Sequence, residues 1–206
     1  READTPAAAG DVHSMQHTTD PVGTIYDYPL YYDILFSWDR TPEAGFYEAA
    51  FQRFGIGKNE NLLEIACGSG LVGRALAQRG WPLTGLDYRE DMLRFLRERA
   101  AALGVTVDTM CADMVDFRVP SKFGASRFGG AFNPLSSLLM LATDELVEAH
   151  LTTMAGVIRN GGLYLVDLAF GAELRPDSQT TDEEWEMSRG EISVRAQNDA
   201  VYVEDA

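Results

Sequence analysis

One glycine-rich stretch between two acidic residues constrains this 206-residue chain more than any other feature. It reads LLEIACGSGLVGRALAQRGWPLTGLDY and covers residues 62–88. Gly68, Gly70 and Gly73 form a G-x-G-x-x-G pattern that separates an apolar run from a helical pattern. Such a pattern indicates a strand, a tight turn and a helix whose N-terminus faces a ligand. The next apolar run ends at Asp87, where the second strand of a parallel sheet would end.

The same alternation of apolar runs and helical patterns continues along the chain. Strands are predicted near 61–66, 81–87, 105–111, 128–133 and 163–170, and helices over 70–79, 89–103 and 143–159. This order predicts an α/β domain, with a parallel sheet and helices on both faces. Gly161-Gly162 is expected to turn the last helix into its strand. Residues 171–190 are polar and predict a surface loop, and an antiparallel hairpin of 191–197 and 201–205 is expected to follow.

The chain divides into three predicted parts. Residues 1–24 lack periodicity and predict a mobile N-terminal tail. The first residue is Arg, so residues 1–14 are a candidate leader and Met15 a candidate initiator. Residues 25–56 are dense in aromatic side chains and predict a helical segment, either packed on the domain or covering a pocket as a lid. Residues 57–206 form the main domain.

Charge and composition limit the classes of partner. The chain has 17 basic and 32 acidic residues, a formal net charge of −15, which repels phosphate backbones and disfavours a nucleic acid substrate. No apolar run reaches the roughly 18 residues of a membrane span, and no secretory signal is visible. Cys67 and Cys111 match no ligand or redox spacing, which favours reduced thiols and a cytoplasmic location. His13 and His17 lack a third ligand candidate, so no metal is expected.

Glu64 distinguishes two cofactors that suit this glycine turn. A dinucleotide brings phosphate charges to the turn, and a carboxylate about 4 Å from one of them costs roughly 4 kcal/mol at an effective dielectric of 20. S-adenosylmethionine (SAM) instead presents an ammonium and a sulfonium, balanced by one carboxylate. Asp87 suits either cofactor, because both contain a ribose whose hydroxyls donate to a carboxylate. The carboxylate of Glu64 therefore favours SAM.

Four segments now carry a resemblance to a known family. LLEIACGSG, GLDYREDML, ADMVDF and IRNGGLYLVDL resemble successive motifs of the class I SAM-dependent methyltransferases, and the likeness extends loosely back to YYDILFSWD. Within that class, the chain is similar to small-molecule enzymes such as the sugar-amine N,N-dimethyltransferases and the glycine N-methyltransferase group. The resemblance implies a Rossmann-like, doubly wound and mostly parallel sheet of seven strands, with an antiparallel C-terminal hairpin.

The resemblance also implies which residues bind SAM. Glu64, Ala66, Cys67, Gly68 and Gly70 would line its methionine part, Tyr32 would reach its carboxylate, Asp87 would hold the ribose, Tyr88 and Met92 would lie beside the adenosine, Asp113 and Met114 would contact the adenine, and Asn133 completes the expected set. Three departures accompany this likeness. Ala66 stands where many relatives have glycine, RFGGAF has glycines where relatives carry Phe-Asp and apolar residues, and relatives continue for several strands past residue 206. The 57–206 domain is therefore expected to lack part of its C-terminal region.

The expected function is the transfer of a methyl group to an amine or hydroxyl of a small molecule. Methyl transfer is an in-line displacement that depends mainly on orientation, and a base is needed only when the acceptor must lose a proton. Tyr26, Tyr28, Tyr32 and Asn133 are the candidates for orienting the acceptor, and no residue is identified as a base. Two alternatives remain open: a non-catalytic SAM-binding or interaction module, and an NAD-dependent oxidoreductase.

Overall fold

The computed structural model describes residues 23–120, 128–168 and 183–198. Residues 1–22 of the predicted tail, and the predicted strand at 201–205, lie outside this part of the chain. The helices are α1 (Pro29–Leu35), α2 (Thr41–Arg53), α3 (Leu71–Gln78), α4 (Glu90–Ala102) and α5 (Asp144–Val157), with single 3₁₀ turns at Ile25–Asp27 and Ser137–Met140. The strands are β1 (Leu62–Ile65), β2 (Leu83–Asp87), β3 (Asp108–Cys111), β4 (Phe128–Asn133), β5 (Ile158–Val166), β6 (Glu183–Arg189) and β7 (Ile192–Asn198).

Strands β1 to β5 form a parallel sheet in the order β3-β2-β1-β4-β5. The strand order reverses between β1 and β4, so the carboxyl ends of these two strands flank the crevice where open α/β sheets bind ligands. Helices cover both faces, as the alternation of the sequence predicts. Within the described residues, no helix has the length and apolarity that a membrane crossing requires.

The short strand β1 separates two apolar layers. Its Leu62 packs with residues of α2, α3 and α4, including Phe51 and Leu76. Leu63 and Ile65 point to the other face, where the core includes residues of α5. Successive side chains of a strand face opposite sides of the sheet, and all of β1 is buried, so nearly every residue of LLEI is apolar. The exception is Glu64, which lies with Leu62 on the face of the sheet that α3 covers.

The prediction of one seven-stranded sheet is wrong for the described chain. Its parallel sheet has five strands, and β6 and β7 form a separate antiparallel pair. This pair packs on α1, where the indole N–H of Trp185 donates to the carbonyl of Leu35 at 3.3 Å. The hairpin turns at Gly190, whose φ of +61° suits a two-residue turn, rather than around Asn198. Residues 183–189, predicted as part of a loop, are therefore a strand.

Strand β5 also begins earlier than the sequence predicts. It follows α5 directly at Ile158, which pairs with Phe128, and Gly161 and Gly162 lie inside the strand. The register shifts between Phe128 and Gly130, and Gly161 has a φ of +74°. Glycines within a strand are typical of a bulge as well as of a turn. Here they form the irregular part of the pairing between β4 and the edge strand β5.

Candidate functional site

A cavity of about 460 Å³ opens at the carboxyl ends of the parallel strands. Its volume lies within the range of roughly 300–1,000 Å³ that is typical of small-molecule sites. The described residues that line it come from the N-terminal segment and from the loops after β1, β2, β4 and β5: Tyr26, Tyr32, Phe36, Trp38, Ala66, Gly68, Asp87, Tyr88, Arg89, Met92, Leu135, Ser136, Ser137, Met140 and Asp167. The cavity therefore spans the point where the strand order reverses.

The glycine turn after β1 needs its glycines for two reasons. Gly68 and Gly70 both have positive φ, +51° and +71°, and Gly70 is the N-cap of α3. A Cβ at Gly70 would lie 2.3 Å from Cδ1 of Leu96. A Cβ at Gly73 would lie 2.2 Å from Oε2 of Glu64, so this glycine lets α3 pack against β1. The pattern thus places a bare backbone and a helix N-terminus at the cavity.

Asp87 joins the loops after β1 and β2. Its Oδ2 accepts a hydrogen bond from the Gly68 N–H at 2.8 Å, and its Oδ1 accepts one from the Arg89 N–H at 2.9 Å. Arg89 is the N-cap of α4 and the helix has no side-chain cap, so Asp87 does not cap its first turn. Burial raises the pKa of Asp87, and the two backbone donors act in the opposite direction. Each oxygen keeps a lone pair for a ligand in the cavity.

Glu64 lies behind the glycine turn and not on the cavity surface. It is 1% exposed, and its Oε1 accepts from the Gly73 N–H at 3.3 Å. Its Oε2 is buried without a hydrogen-bond partner in the described structure. This burial raises the pKa of Glu64 to about 8, so the carboxyl group is mostly neutral near pH 7. Glu64 therefore does not exclude a dinucleotide by its charge, contrary to the expectation from the sequence.

Arg89 gives a stronger argument against a pyrophosphate. It is the basic residue among the described residues that line the cavity. Its guanidinium bridges Asp27 and Asp91, at 2.9 Å to each carboxylate. A dinucleotide would bring two phosphate charges to this cavity. Arg89 is already paired there, and the carboxylates of Asp87 and Asp167 in the lining would repel the phosphates. A cationic ligand suits this lining better than an anionic one.

Four aromatic rings form one wall of the cavity. Tyr26 and Tyr32 have ring centroids 5.5 Å apart, Tyr32 and Phe36 4.8 Å apart, and Phe36 and Trp38 5.7 Å apart. The aromatic segment of the sequence is thus brought against the glycine turn, where Cε1 of Tyr32 lies 3.4 Å from a Cβ built on Gly68. Aromatic faces attract cations, a sulfonium among them.

Asp33 anchors this wall to the rest of the domain. The carboxylate is fully buried on α1 and pairs with Arg74 of α3. Arg189 of β6 lies 2.8 Å from it and Arg99 of α4 lies 3.7 Å from it. One carboxylate therefore joins α1, α3, α4 and the hairpin, and removal of such a partner leaves buried charge uncompensated.

The opposite wall is built from the ends of β4 and β5. Asn133 ends β4, where its Nδ2 donates to the Ile65 carbonyl at 3.3 Å and its Oδ1 accepts from the Leu138 N–H at 2.9 Å. Leu135 and Ser136 follow with a φ of 57° each. Together with Ala66, at 51°, they are the non-glycine residues of positive φ in the described chain, and all of them line the cavity. Such strained residues are typical of functional sites.

The expected cofactor residues fall into three groups. Tyr32, Ala66, Gly68, Asp87, Tyr88 and Met92 line the cavity, whereas Glu64, Cys67, Gly70 and Asn133 support the loops behind its surface. Asp113 and Met114 lie in the loop after β3, outside the described lining, where Oδ1 of Asp113 accepts from the Val115 N–H at 2.8 Å and the Met114 carbonyl faces Nδ1 of His150.

The acceptor candidates divide in a similar way. Tyr26 and Tyr32 line the cavity and Tyr28 does not. The two polar groups of Asn133 are occupied by backbone partners, which favours a structural role. Asp167 is not among the residues predicted from the sequence, because the predicted strand 163–170 includes it and β5 ends at Val166. The other residues that line the β4–β5 side were not predicted either.

Comparisons with known proteins agree with this geometry. Residues 62–162 match a family model described as a methyltransferase domain. A ubiquinone biosynthesis O-methyltransferase from Sinorhizobium fredii is 29% identical over 109 residues, 53% of this chain and 41% of that protein. A solved S-adenosylmethionine-dependent methyltransferase from Clostridium acetobutylicum aligns with a TM-score of 0.65 at 14% identity, over 87% of this chain and 82% of that one. A sugar N-methyltransferase from a Streptoalloteichus species aligns with a TM-score of 0.62 at 19% identity, over 90% and 75%.

The fold and the cavity define the class as the Rossmann-like methyltransferase fold. The chain spans about half of the length, or less, of the curated relatives it matches. Within these bounds, residues 62–162 resemble a methyltransferase domain and the fold resembles that of SAM-dependent methyltransferases, in agreement with the expected enzyme class and the expected cofactor.

Proposed function

We propose that this chain transfers a methyl group from SAM to an amine or hydroxyl group of a small molecule. The observation that carries the proposal is that one cavity joins the glycine turn and Asp87 to a second polar wall after β4 and β5. A site for cofactor alone would need only the half over β1 and β2, whereas transfer requires a second reactant beside the first.

The residues over β1 and β2 fit SAM by their chemistry. Asp87 lines the cavity and keeps a lone pair on each oxygen for the ribose hydroxyls, and Gly68 lets the ligand approach the backbone. Tyr88 and Met92 would lie beside the adenosine, and Tyr32 would face the methionine part. When bound, SAM supplies a methyl group on a positively charged sulfur. The chain contributes orientation, and well-positioned reactants gain roughly 7–11 kcal/mol from it.

The described lining favours an acceptor that needs little proton transfer. Burial raises the pKa of Tyr32 above its usual value, so this phenol stays protonated at neutral pH and orients by hydrogen bonding. His150 is buried between the Met114 carbonyl and the Tyr164 hydroxyl, each at 2.8 Å, and does not line the cavity. An amine acts as a nucleophile once it is neutral, without a base in the site.

The partner we propose is a small molecule, not a nucleic acid. The net charge of −15 and the paired state of Arg89 support this choice. The named relatives include a sugar N-methyltransferase and an O-methyltransferase, so both amines and hydroxyl compounds belong in the first screen. Cys67 and Cys111 are both free, which supports the proposed cytoplasmic location.

Thermal shift and product release test the proposal together. SAM and S-adenosylhomocysteine should stabilise the protein by about 2.7 kcal/mol at a hundredfold excess over Kd, while NAD and NADP should not. Equal stabilisation by NAD would support the oxidoreductase alternative. With methyl-labelled SAM, small amines or alcohols should take up label, and tRNA and duplex DNA should not. Tight SAM binding without label on any acceptor would favour the non-catalytic module.

A further inference from the structure

We propose that Asp167 recognises the methyl acceptor and that the acceptor is therefore an amine. This inference rests on the proposed methyl transfer and narrows it to one class of substrate. The comparisons leave this choice open, because one relative is named an O-methyltransferase and another an N-methyltransferase. The negative charge of Asp167, on the acceptor side of the cavity, favours an amine over an alcohol.

The position of Asp167 places it across the cavity from the cofactor residues. It directly follows β5, and its N–H donates to the Asn133 carbonyl at 3.0 Å. Asp87 ends β2, and the sheet order puts β1 and β4 between these two strands. Neighbouring strands lie about 4.8 Å apart, so the two strand ends are separated by about 14 Å. That span leaves room for the sugar and methionine parts of SAM between them, with Asp167 at the far side.

The carboxylate of Asp167 is available to a ligand. Its Oδ2 accepts one hydrogen bond, from the Leu135 N–H at 3.2 Å. Among residues 23–120, 128–168 and 183–198, no basic side chain forms an ion pair with it. Asp87, by contrast, uses both oxygens to hold backbone N–H groups, and Arg89 is held by two carboxylates. Asp167 is thus the lining charge with the most unused capacity.

The surroundings of Asp167 suit a ligand with an apolar body. Trp38 and Met140 line the same cavity and are 43% and 59% exposed. Asp167 also lines a second cavity of about 450 Å³, whose walls include Phe46, Tyr47 and Leu165. An acceptor with a cationic or hydrogen-bonding head at the carboxylate and an apolar surface along these side chains would satisfy both features.

The chemistry of the transfer favours an amine at this carboxylate. An amine that binds in its protonated form first releases one proton to water. The neutral amine then donates one N–H to Asp167 and keeps its lone pair for the methyl carbon. As the N–C bond forms and the C–S bond breaks, the sulfonium becomes a neutral thioether and the nitrogen becomes positively charged. The nitrogen retains its proton, which still donates to Asp167 in a charge-assisted hydrogen bond. An alcohol would have to pass its proton to Asp167 or to water as the neutral ether forms, and the product would give the carboxylate no cationic partner.

Asp167→Asn isolates the charge, because the amide oxygen still accepts from the Leu135 N–H. The matched control is Asp116→Asn, which removes the same charge from an exposed position outside the described cavity lining. The probes are benzylamine, protonated at neutral pH, and benzyl alcohol, titrated calorimetrically into protein saturated with S-adenosylhomocysteine. These probes share an apolar ring and differ in the charged nitrogen.

The wild type is expected to bind the amine at least about tenfold more tightly than the alcohol. Asp167→Asn should weaken amine binding by about tenfold and leave alcohol binding unchanged, while Asp116→Asn behaves as the wild type. Equal affinity for amine and alcohol, no amine binding at about 10 mM, or equal losses in the two variants would overturn the role of Asp167. In each of these cases an unchanged affinity for S-adenosylhomocysteine would leave the cofactor assignment intact. If the wild type fails to bind S-adenosylhomocysteine at all, both the methyltransferase proposal and this inference fail.

Discussion

Replacing Asp87 by asparagine tests how the cofactor is held. The two carboxylate oxygens accept from the Gly68 and Arg89 N–H groups at 2.8 and 2.9 Å. An asparagine can accept only one of these bonds, and its NH₂ group then faces the other donor. A buried donor without a partner costs about 1–3 kcal/mol, so the variant should lose stability of that order. The change therefore affects the loops as well as the ligand, and the assay has to separate the two effects.

The expected loss of affinity follows from the lone pairs that Asp87 does not use for the two backbone N–H groups. A hydrogen bond from a ribose hydroxyl to a carboxylate is worth about 1.5–3 kcal/mol. Each such bond corresponds to roughly a 10- to 100-fold change in Kd. Asp87→Asn keeps one oxygen and loses the charge, so binding of S-adenosylhomocysteine should weaken by at least about tenfold.

Comparing two ligands in two proteins distinguishes the loss of hydrogen bonds to the ribose from a displacement of the loops that Asp87 holds. Calorimetry would compare S-adenosylhomocysteine with its 2′,3′-dideoxy analogue in the wild type and in Asp87→Asn. If Asp87 binds the ribose, the wild type should prefer the hydroxylated ligand and the variant should lose most of that preference. Asp91→Asn is the control, since it loosens Arg89 and leaves Asp87 in place. Recognition of the ribose by Asp87 is refuted if Asp87→Asn weakens the binding of both ligands by the same factor.

Three further changes test the surroundings of the site. Burial raises the pKa of Glu64 from 4.5 to about 8, so the free energy of unfolding should fall by a few kcal/mol as the pH rises through that window. In urea denaturation, Glu64→Gln should abolish this fall. Parallel plots of unfolding free energy against pH for the two proteins would contradict this prediction. Gly70→Ala adds a Cβ at a φ of +71° and 2.3 Å from Leu96, and should cost about 1–3 kcal/mol in thermal unfolding; an unchanged Tm would show that the turn relaxes. Asp33→Asn leaves three arginines without their carboxylate and should cost about 3–5 kcal/mol in urea denaturation, whereas a loss under about 1 kcal/mol would show that the cluster is weak.

Local sequence signals predicted the elements whose causes are local. The strand at 128–133 matches β4, and Thr143 caps α5 by accepting from the Leu146 N–H at 3.4 Å. The glycine turn and Asp87 also lie where their spacing placed them. The predicted position of the hairpin was wrong because Gly190, a residue of positive φ, makes its turn, and residues around Asn198 do not. The seven-stranded sheet came from the resemblance and not from the pattern of the strands.

The acceptor side of the site was less predictable, for a physical reason. Leu135, Ser136 and Asp167 meet only because the ends of β4 and β5 are neighbours in the sheet, a contact between distant parts of the chain. The protonation of Glu64 likewise depends on burial under α3, which no single stretch of sequence encodes. Asn133 is a candidate from the sequence for binding SAM and for orienting the acceptor, whereas its hydrogen bonds in the structure tie three backbone segments together.

The left-handed residues that line the cavity have a consequence for engineering. Ala66, Leu135 and Ser136 each hold a conformation that glycine adopts at lower cost, and such positions store about 1–3 kcal/mol each. Selection for heat resistance alone would therefore favour glycine or asparagine there. The same substitutions would remove Leu135 from the apolar rim and allow the loop more conformations. Stabilising substitutions should consequently be found readily at the walls of the cavity, where they also loosen the fit of the acceptor.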